Sequence, residues 1–472
     1  MSKLRSVLAA VSLLPIACVA GAEAATLDDV AKAMGASGLD SVSFSGAGTF
    51  FAVGQNFRPT DPWPRFVLTQ YVRAADYTGQ ATRLDFALMQ GESPPRGGGT
   101  QPIIGTQRRG SGASGETGWV MAQGLFTAAS TTSGLHDLWT TPHGIVKAAI
   151  ADGAKVTGSH FEIVRAGRFV AKATIDGQNR VAKVESLIDN PVLGDMKVVT
   201  EYRDYRDFGG VSFPGRILQS IGGHPVLDLT VTEVKTNAGA FTVPTAIVRP
   251  SAEVAVEKAA EGVWFLAGGT HHSVAIEMQD HIVLVEAPLG DARSNAAIEA
   301  AKKAIPGKPI RYVVNTHHHF DHSGGLRAAA AEGAIVVTHA MNKPFFEQAY
   351  AAPRTLSPDR LAKAGGTAKF ETFGDKHVLN DAKRVIELYL LAGATHNAGL
   401  TIGYLPADKI LIVADAFSPR QQVTKTPDQL NPFTVNLWDN IKRLGLDVQT
   451  ILPIHGRMVK LDELKIEVGA TN

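Results

Sequence analysis

The stretch from Asn315 to Gly325, NTHHHFDHSGG, crowds four histidines and one aspartate between His317 and His322, and it narrows the choice of fold more than any other feature. Before it, PIRYVVNT is a short apolar run that reads as a buried strand ending at Thr316. After it, SGGLRAAAAEG reads as a helix with Ser323 as its cap. The loop therefore leaves the carboxyl end of a strand and enters a helix, the usual position of sites in layered α/β sheets. His317 and His319, two residues apart, can point to one side, while Asp321 and His322 come after the chain has turned and can face a second point. One short loop can thus serve two neighbouring metal ions. Imidazole with carboxylate favours zinc, with iron and manganese as competitors.

A two-metal site needs more donors than this loop supplies. Three isolated residues at later strand ends fit: His396 in GATHNAG after RVIELYLLA, Asp415 at the end of KILIVADA, and His455 in ILPIHGR. With these, the chain resembles the metallo-β-lactamase superfamily. The HxHxDH signature is complete at His317, His319, Asp321 and His322, and the three later residues follow in the family's order over roughly Val254 to Val468. The resemblance implies an αββα sandwich with His317, His319 and His396 on one zinc, Asp321, His322 and His455 on the other, and Asp415 bridging. His318 lies between two ligands and is expected to point away.

Other residues remain open at this level. His271 and His272, in AGGTHHSVAIE, are either substrate contacts near the cleft or ordinary turn histidines. Glu286, in IVLVEAP, either orients a metal-bound histidine or caps a turn. His281, His339 and His377 have no motif context and are expected at the surface.

The rest of this α/β half alternates strands and helices. GVWFLAG, SVAIEMQD, HIVLVEAPLG, AIVVTHA, LTIGYLPAD and KILIVADA read as strands, NAAIEAAKKAI and NLWDNIKRLGL as helices. With 472 residues the chain is too long for one ordinary core. A mainly antiparallel β domain of unknown role is expected over 25–245 and the α/β domain over 252–472, with the linker in VPTAIVRPS. In the first domain SVSFSGAGTFFAV, RFVLTQYVRAA, FEIVRAGRFVAKATID and VLDLTVTEVKT alternate apolar and polar residues, and Gly144–Ala151 reads as a helix under a curled sheet. The glycine-rich segment Ser93–Gly118 has no strand-helix context for phosphate binding and reads as a mobile surface loop, with a substrate lid as the alternative.

Residues 1–24 combine Lys3 and Arg5, an apolar run from Val7 to Ala20, and small residues ending at Ala24, the pattern of a cleaved secretory signal. The run is shorter than the roughly 20 residues of a membrane span. A periplasmic or secreted location is expected. A lipoprotein anchored at Cys18, the sole cysteine, is the lesser alternative, because Pro15-Ile16-Ala17 fits a lipobox poorly. Cleavage would lower the formal charge from +1 to 0, leaving no basic footprint for nucleic acid.

The resulting expectation is an exported zinc-dependent hydrolase in which a dinuclear metal pair activates hydroxide against an ester, lactone or related acyl substrate, with Asp321 or Asp415 passing a proton to the leaving group. Di-iron oxygen-reducing relatives carry glutamate at the position of His319, which argues against redox chemistry. The true β-lactamases of the superfamily generally lack the bridging aspartate, so a β-lactam, like a sulfate ester or phosphodiester, is an alternative rather than the first choice. From a different class, the alternative is a periplasmic lipid or acyl-binding carrier with an accessory metal domain. The partner expected is a small molecule, without nucleic acid or a stable membrane span.

Overall fold

The computed structural model describes residues 25–470, apart from 100, 123, 166–167, 240, 250–252 and 420–429. The expected signal segment, the end of the linker and part of the stretch after Phe417 lie outside the described residues.

The N-terminal half is a 12-stranded antiparallel sheet. Its first meander comprises β1 (Ser41–Phe51), β2 (Arg65–Asp76), β3 (Ala81–Gln90), β4 (Gln107–Ser114), β5 (Thr117–Ala122) and β6 (Leu125–Ala129). The second comprises β7 (His160–Arg165), β8 (Phe169–Ile175), β9 (Val181–Asn190), β10 (Gly194–Asp207), β11 (Ser212–Ile221) and β12 (His224–Thr236). β1 pairs with β12 and joins the two meanders, with Val42 opposite Thr236 and Phe50 opposite Leu227. Alternation sends Phe161, Ile163, Ala171 and Ala173 inward and leaves Val164 and Val170 exposed. The inner face packs on three helices, α1 (Leu27–Met34), α2 (Thr131–Trp139) and α3 (Pro142–Ala151). α1 begins in a capping box between Thr26 and Asp29 and ends at left-handed Gly35. Only α3 is legible in the apolar pattern.

The glycine-rich segment corrects the loop expectation from Gln107 onward, where most of it is strand, while the described residues of 93–106 lie outside any strand. Gly112 in β4 faces buried Trp119 across the β4–β5 ladder, and a Cβ there would sit 2.3 Å from the indole. Glycine makes room for the ring there and does not signal mobility. Val248, within the expected linker, pairs with Thr127 and extends the edge beside β6.

The C-terminal half stacks two sheets. One contains β13 (Ala255–Ala260), β14 (Val263–Ala267), β15 (Ser273–Glu277), β16 (Ile282–Val285), β17 (Ile310–Val314), β18 (Ile335–His339) and β19 (Lys369–Phe373) in that order. The other contains β20 (Lys376–Asn380), β21 (Val385–Leu390), β22 (Thr401–Leu405), β23 (Ile410–Val413), β24 (Thr450–Pro453) and β25 (Val459–Lys460). The first sheet is covered outside by α4 (Asp291–Ala304), α5 (Phe320–Ser323), α6 (Leu326–Ala331), α7 (Lys343–Ala351) and α8 (Arg360–Lys363), and the second by α9 (Pro432–Leu444) and α10 (Leu461–Glu467). Within β23, Ile410 and Ile412 face the partner sheet while Leu411 and Val413 face α9, giving the αββα layering.

The expected helix after the histidine loop is broken into α5 and α6 at Gly324–Gly325. Ser323 does not cap it; its hydroxyl donates to the carbonyls of His318 and His319 at 3.1 and 2.9 Å.

Among the described residues, two of the contacts that join the halves are tied by several hydrogen bonds. Arg354 donates to the carbonyls of Asn190, Pro191 and Val192, beside Thr355 bonded to Asp195. The other contact is the β1–β2 connection, which runs into the histidine loop.

Candidate metal centre

β17 ends in a loop tied down by its own polar side chains. Buried Asn315 donates to the His317 carbonyl at 2.6 Å and accepts from Thr338 at 3.1 Å, while the Thr316 carbonyl accepts from both Thr401 groups. These bonds satisfy the backbone where the strand stops. The loop is then stiff enough to aim imidazoles.

All seven expected side chains meet in one small volume at the carboxyl ends of β17, β21, β23 and β24. His317, His319, His396 and Asp415 form one group of converging donor atoms. His317 Nε2 and His396 Nε2 are 3.4 Å apart, and His396 Nε2 is 3.2 Å from Asp415 Oδ2. On the other side, Asp415 Oδ1 lies 2.7 Å from His322 Nε2 and 3.0 Å from His455 Nε2, which are 3.2 Å from each other. Asp321 Oδ2 stands 3.9 Å from His322 Nε2. Asp415 thus spans both groups with one oxygen each.

The far nitrogens of four rings are already engaged, that of His317 with the Thr316 hydroxyl at 3.0 Å. His455 Nδ1 donates to the Thr270 carbonyl at 2.9 Å, His319 Nε2 to the Asn56 carbonyl at 2.9 Å, and His322 Nδ1 to Glu286 at 2.8 Å. A carbonyl only accepts, so it fixes a proton on the outer nitrogen and, in a neutral ring, leaves the inner nitrogen as a lone pair. His319 Nδ1 is such a nitrogen, buried and without any partner. Lone pairs facing one another repel unless a cation lies between them. Tetrahedral zinc with bonds of about 2.05 Å places its ligand atoms about 3.3 Å apart, close to three of the contacts just given, at 3.2–3.4 Å, while Asp415 Oδ1 lies nearer to His322 and His455, at 2.7 and 3.0 Å. The donor set fits divalent ions of the zinc type.

Glu286 has a clear role in this geometry. It is fully buried, sits at φ +68°, and its second oxygen accepts from the Thr316 amide at 2.7 Å. A non-glycine residue in this region carries strain of about 1–3 kcal/mol, held here because one carboxylate anchors both the loop and His322.

Burial pushes His317 and His319 well below the usual imidazole range, reinforced by neighbouring histidines. Burial also disfavours charge on His322 and His455, but the Asp415 carboxylate outweighs it and both are raised. Against its own burial, Asp415 is held well below the carboxylate range by His322, His396 and His455. The pocket is an anionic one in which protons and cations compete.

His318 points away, as expected, to Asn56 Oδ1 at 3.2 Å and Asn397 at 3.0 Å. His271 lies in the centre, its Nε2 3.3 Å from Asp321 Oδ2 and grouped with His322 and His455. His272 instead accepts from the Gly268 amide and packs on Phe265. His281 is a correction: it is only 6% exposed, bonded to Asp280 and packed on Tyr312. His339 and His377 are half-buried.

The residues that sequence reasoning missed come from the N-terminal half. Gln55 donates to Asp321 Oδ1 at 2.8 Å, the Gly54 carbonyl receives the Phe320 amide, and the Gly97 amide reaches the Thr395 carbonyl. Gly54 has φ +71°, and a Cβ there would meet the Phe320 ring at 2.2 Å. The available signal is length: 13 residues, 52–64, connect adjacent antiparallel strands where two to five are usual.

The sequence profile of the Metallo-beta-lactamase superfamily matches residues 267–455. The alpha subunit of a 2,4-dinitroanisole O-demethylase from Nocardioides sp. (strain JS1661) is 24% identical over 198 residues, covering 41% of this chain. The match spans 55% of that relative's length. Among solved structures, the metallo-beta-lactamase from Pontibacter korlensis is 19% identical with TM-score 0.36, covering 46% of this chain and 98% of its own. The metallo-beta-lactamase from Hirschia baltica is likewise 19% identical with TM-score 0.36, covering 46% and 97%. Residues 267–455 match the metallo-β-lactamase superfamily, and this part of the chain has the paired-sheet fold of that superfamily.

Proposed function

We propose that the protein is an exported metal-dependent hydrolase of esters, lactones or related acyl compounds. Two zinc ions fit best, one held by His317, His319, His396 and Asp415, the other by Asp321, His322, His455 and Asp415. The observation that carries the reading is the set of inward lone pairs spaced for tetrahedral ligation, with the outer nitrogens of His319, His322 and His455 already bonded to acceptors. Ions held there supply positive charge that acidifies water and draws electrons from an acyl oxygen.

The chain does the rest. Asp321 has one oxygen fixed by Gln55 and the other facing His271, so its carboxylate is aimed and ready to take a proton and return it to a leaving group. Burial lowers His271 from the usual imidazole range, which keeps it neutral and able to donate through Nε2. Phe433 packs on His396 and Phe345 on His318, closing the flanks against water.

The test is a panel of lactones, carboxylic esters, a β-lactam, a sulfate ester and a phosphodiester, each with and without chelator, after metal analysis of the purified protein. Chelator-sensitive cleavage of an ester or lactone is expected; cleavage indifferent to chelator sinks the proposal. The O-demethylase relative brings a second reading, ether cleavage, and 2,4-dinitroanisole belongs in the panel for that reason. Export is tested by sequencing the N-terminus of the cell-envelope fraction, where a start at Ala25 is expected.

A further inference from the structure

The inner face of the 12-stranded sheet encloses a cavity of about 210 Å³. Phe44, Leu68, Leu84, Phe86, Ile217 and Leu227 are among the apolar residues that line it, with Thr140, Thr200 and Gln219 among the polar ones. Interiors otherwise pack at nearly crystalline density. An apolar cavity of about 150 Å³ already suffices to stay dry and hold benzene, so this one has room for a ring or a chain of several methylenes.

Its two ends differ. At one end lie Arg73 and Asp137, and their charges are spent on each other: the guanidinium donates to Asp137 at 3.0 Å and to the Tyr71 hydroxyl at 2.8 Å. That end is electrically neutral and offers no unpaired cation for a carboxylate. At the other end are Phe50, Val53, Ile221 and Val226. The ladder fixes this direction, since Phe50 stands opposite Leu227 and Phe66, and Ile221 opposite His224, at the ends of their strands. Val53 is two residues from Gln55, which holds Asp321, and three from Asn56, whose carbonyl holds His319. Trp63, between His224 and Phe320, walls the same junction.

We propose that this cavity binds the uncharged alkyl chain of an acyl substrate, placing the polar end of the molecule at the junction with the metal centre. The coupling to catalysis rests on the hydrolase reading above; the binding itself does not. The occupant is a medium-length neutral chain because the charges at the Arg73–Asp137 end are paired with each other, apolar side chains outnumber polar ones in the lining, and the volume exceeds that of a ring.

Two arms test it on the full-length protein. In the first, metal-free protein is titrated with the neutral fluorophore N-phenyl-1-naphthylamine, and decan-1-ol is used to displace it. Saturable, displaceable binding is expected, weakened at least tenfold by Ile217→Phe; if that variant does not fold, Leu84→Phe fills the same space. Absence of saturable binding, or equal affinity in a folded filled variant, overturns the site. The second arm compares p-nitrophenyl acetate, hexanoate and decanoate. KM is expected to fall with chain length in the wild type, and the decanoate preference to vanish in the filled variant. Binding of the fluorophore with KM indifferent to chain length overturns the link to the metal centre. Turnover of no ester, with fluorophore binding intact, removes the hydrolase reading and leaves the binding site standing.

Discussion

The two halves of the molecule use their sheets in opposite ways. In the C-terminal sandwich a strand such as β23 has no free face: Ile410, Leu411, Ile412 and Val413 are all buried, two toward each layer. In the N-terminal sheet a strand such as β8 buries alternate residues and turns Val170 to solvent. A doubly covered sheet leaves only strand ends for chemistry, and that is where every donor of the metal centre sits. A singly covered sheet has a concave face and long connections at its disposal, and this one contributes both a cavity and the loop that braces the centre.

That division of labour can be broken at the metal ligands first. Asp415→Asn removes the charge shared by both donor groups; bound zinc is expected to fall below two per chain and turnover to drop on the order of 10³-fold. Unchanged metal content, by plasma emission spectrometry, would remove Asp415 from the bridging position. Glu286→Gln keeps the shape but takes a buried charge from behind His322, and zinc affinity is expected to fall about 10–100-fold. A competition titration with a chromophoric chelator measures this.

Gln55→Leu probes the other half. It leaves all seven donors in place yet frees Asp321, and a decrease in kcat of about 10-fold is expected, at the low end for outer supports of metal ligands. Wild-type kcat in this variant would show that the N-terminal half is a bystander to the chemistry.

The last prediction concerns stability alone. Burial against Phe213 depresses His143 to about 4, with Nε2 donating to the Met34 carbonyl. A depressed imidazole leaves full stability above the unfolded value near 6.5, lost as pH falls toward 4 because the unfolded chain takes the proton first. The loss is about 3 kcal/mol across that window. Urea melts at stepped pH should show it in the wild type and a flatter profile in His143→Gln, with zinc content unaltered.

The metal half was legible because its donors carry their own signal. His317, His319, Asp321 and His322 fall within six residues, and His396, Asp415 and His455 each follow an apolar strand. Glu286 could be named but not assigned, since only the fold brings it 2.8 Å from His322. Gln55 and Asn56 were invisible: an amide and a backbone carbonyl have no metal-seeking chemistry, and their partners lie more than 260 positions away. β4 was hidden by composition, because a glycine that accommodates Trp119, as Gly112 does, looks the same in sequence as a glycine of a loose loop.

The bond from His319 to the Asn56 carbonyl has a consequence for biogenesis. A growing chain makes Asn56 early and His319 263 residues later, and the two meet only when the first sheet has its shape and the sandwich has docked against it. A metal ion bound at His319 would then depend on completed assembly, and a protein whose halves have not joined is expected to hold it more loosely.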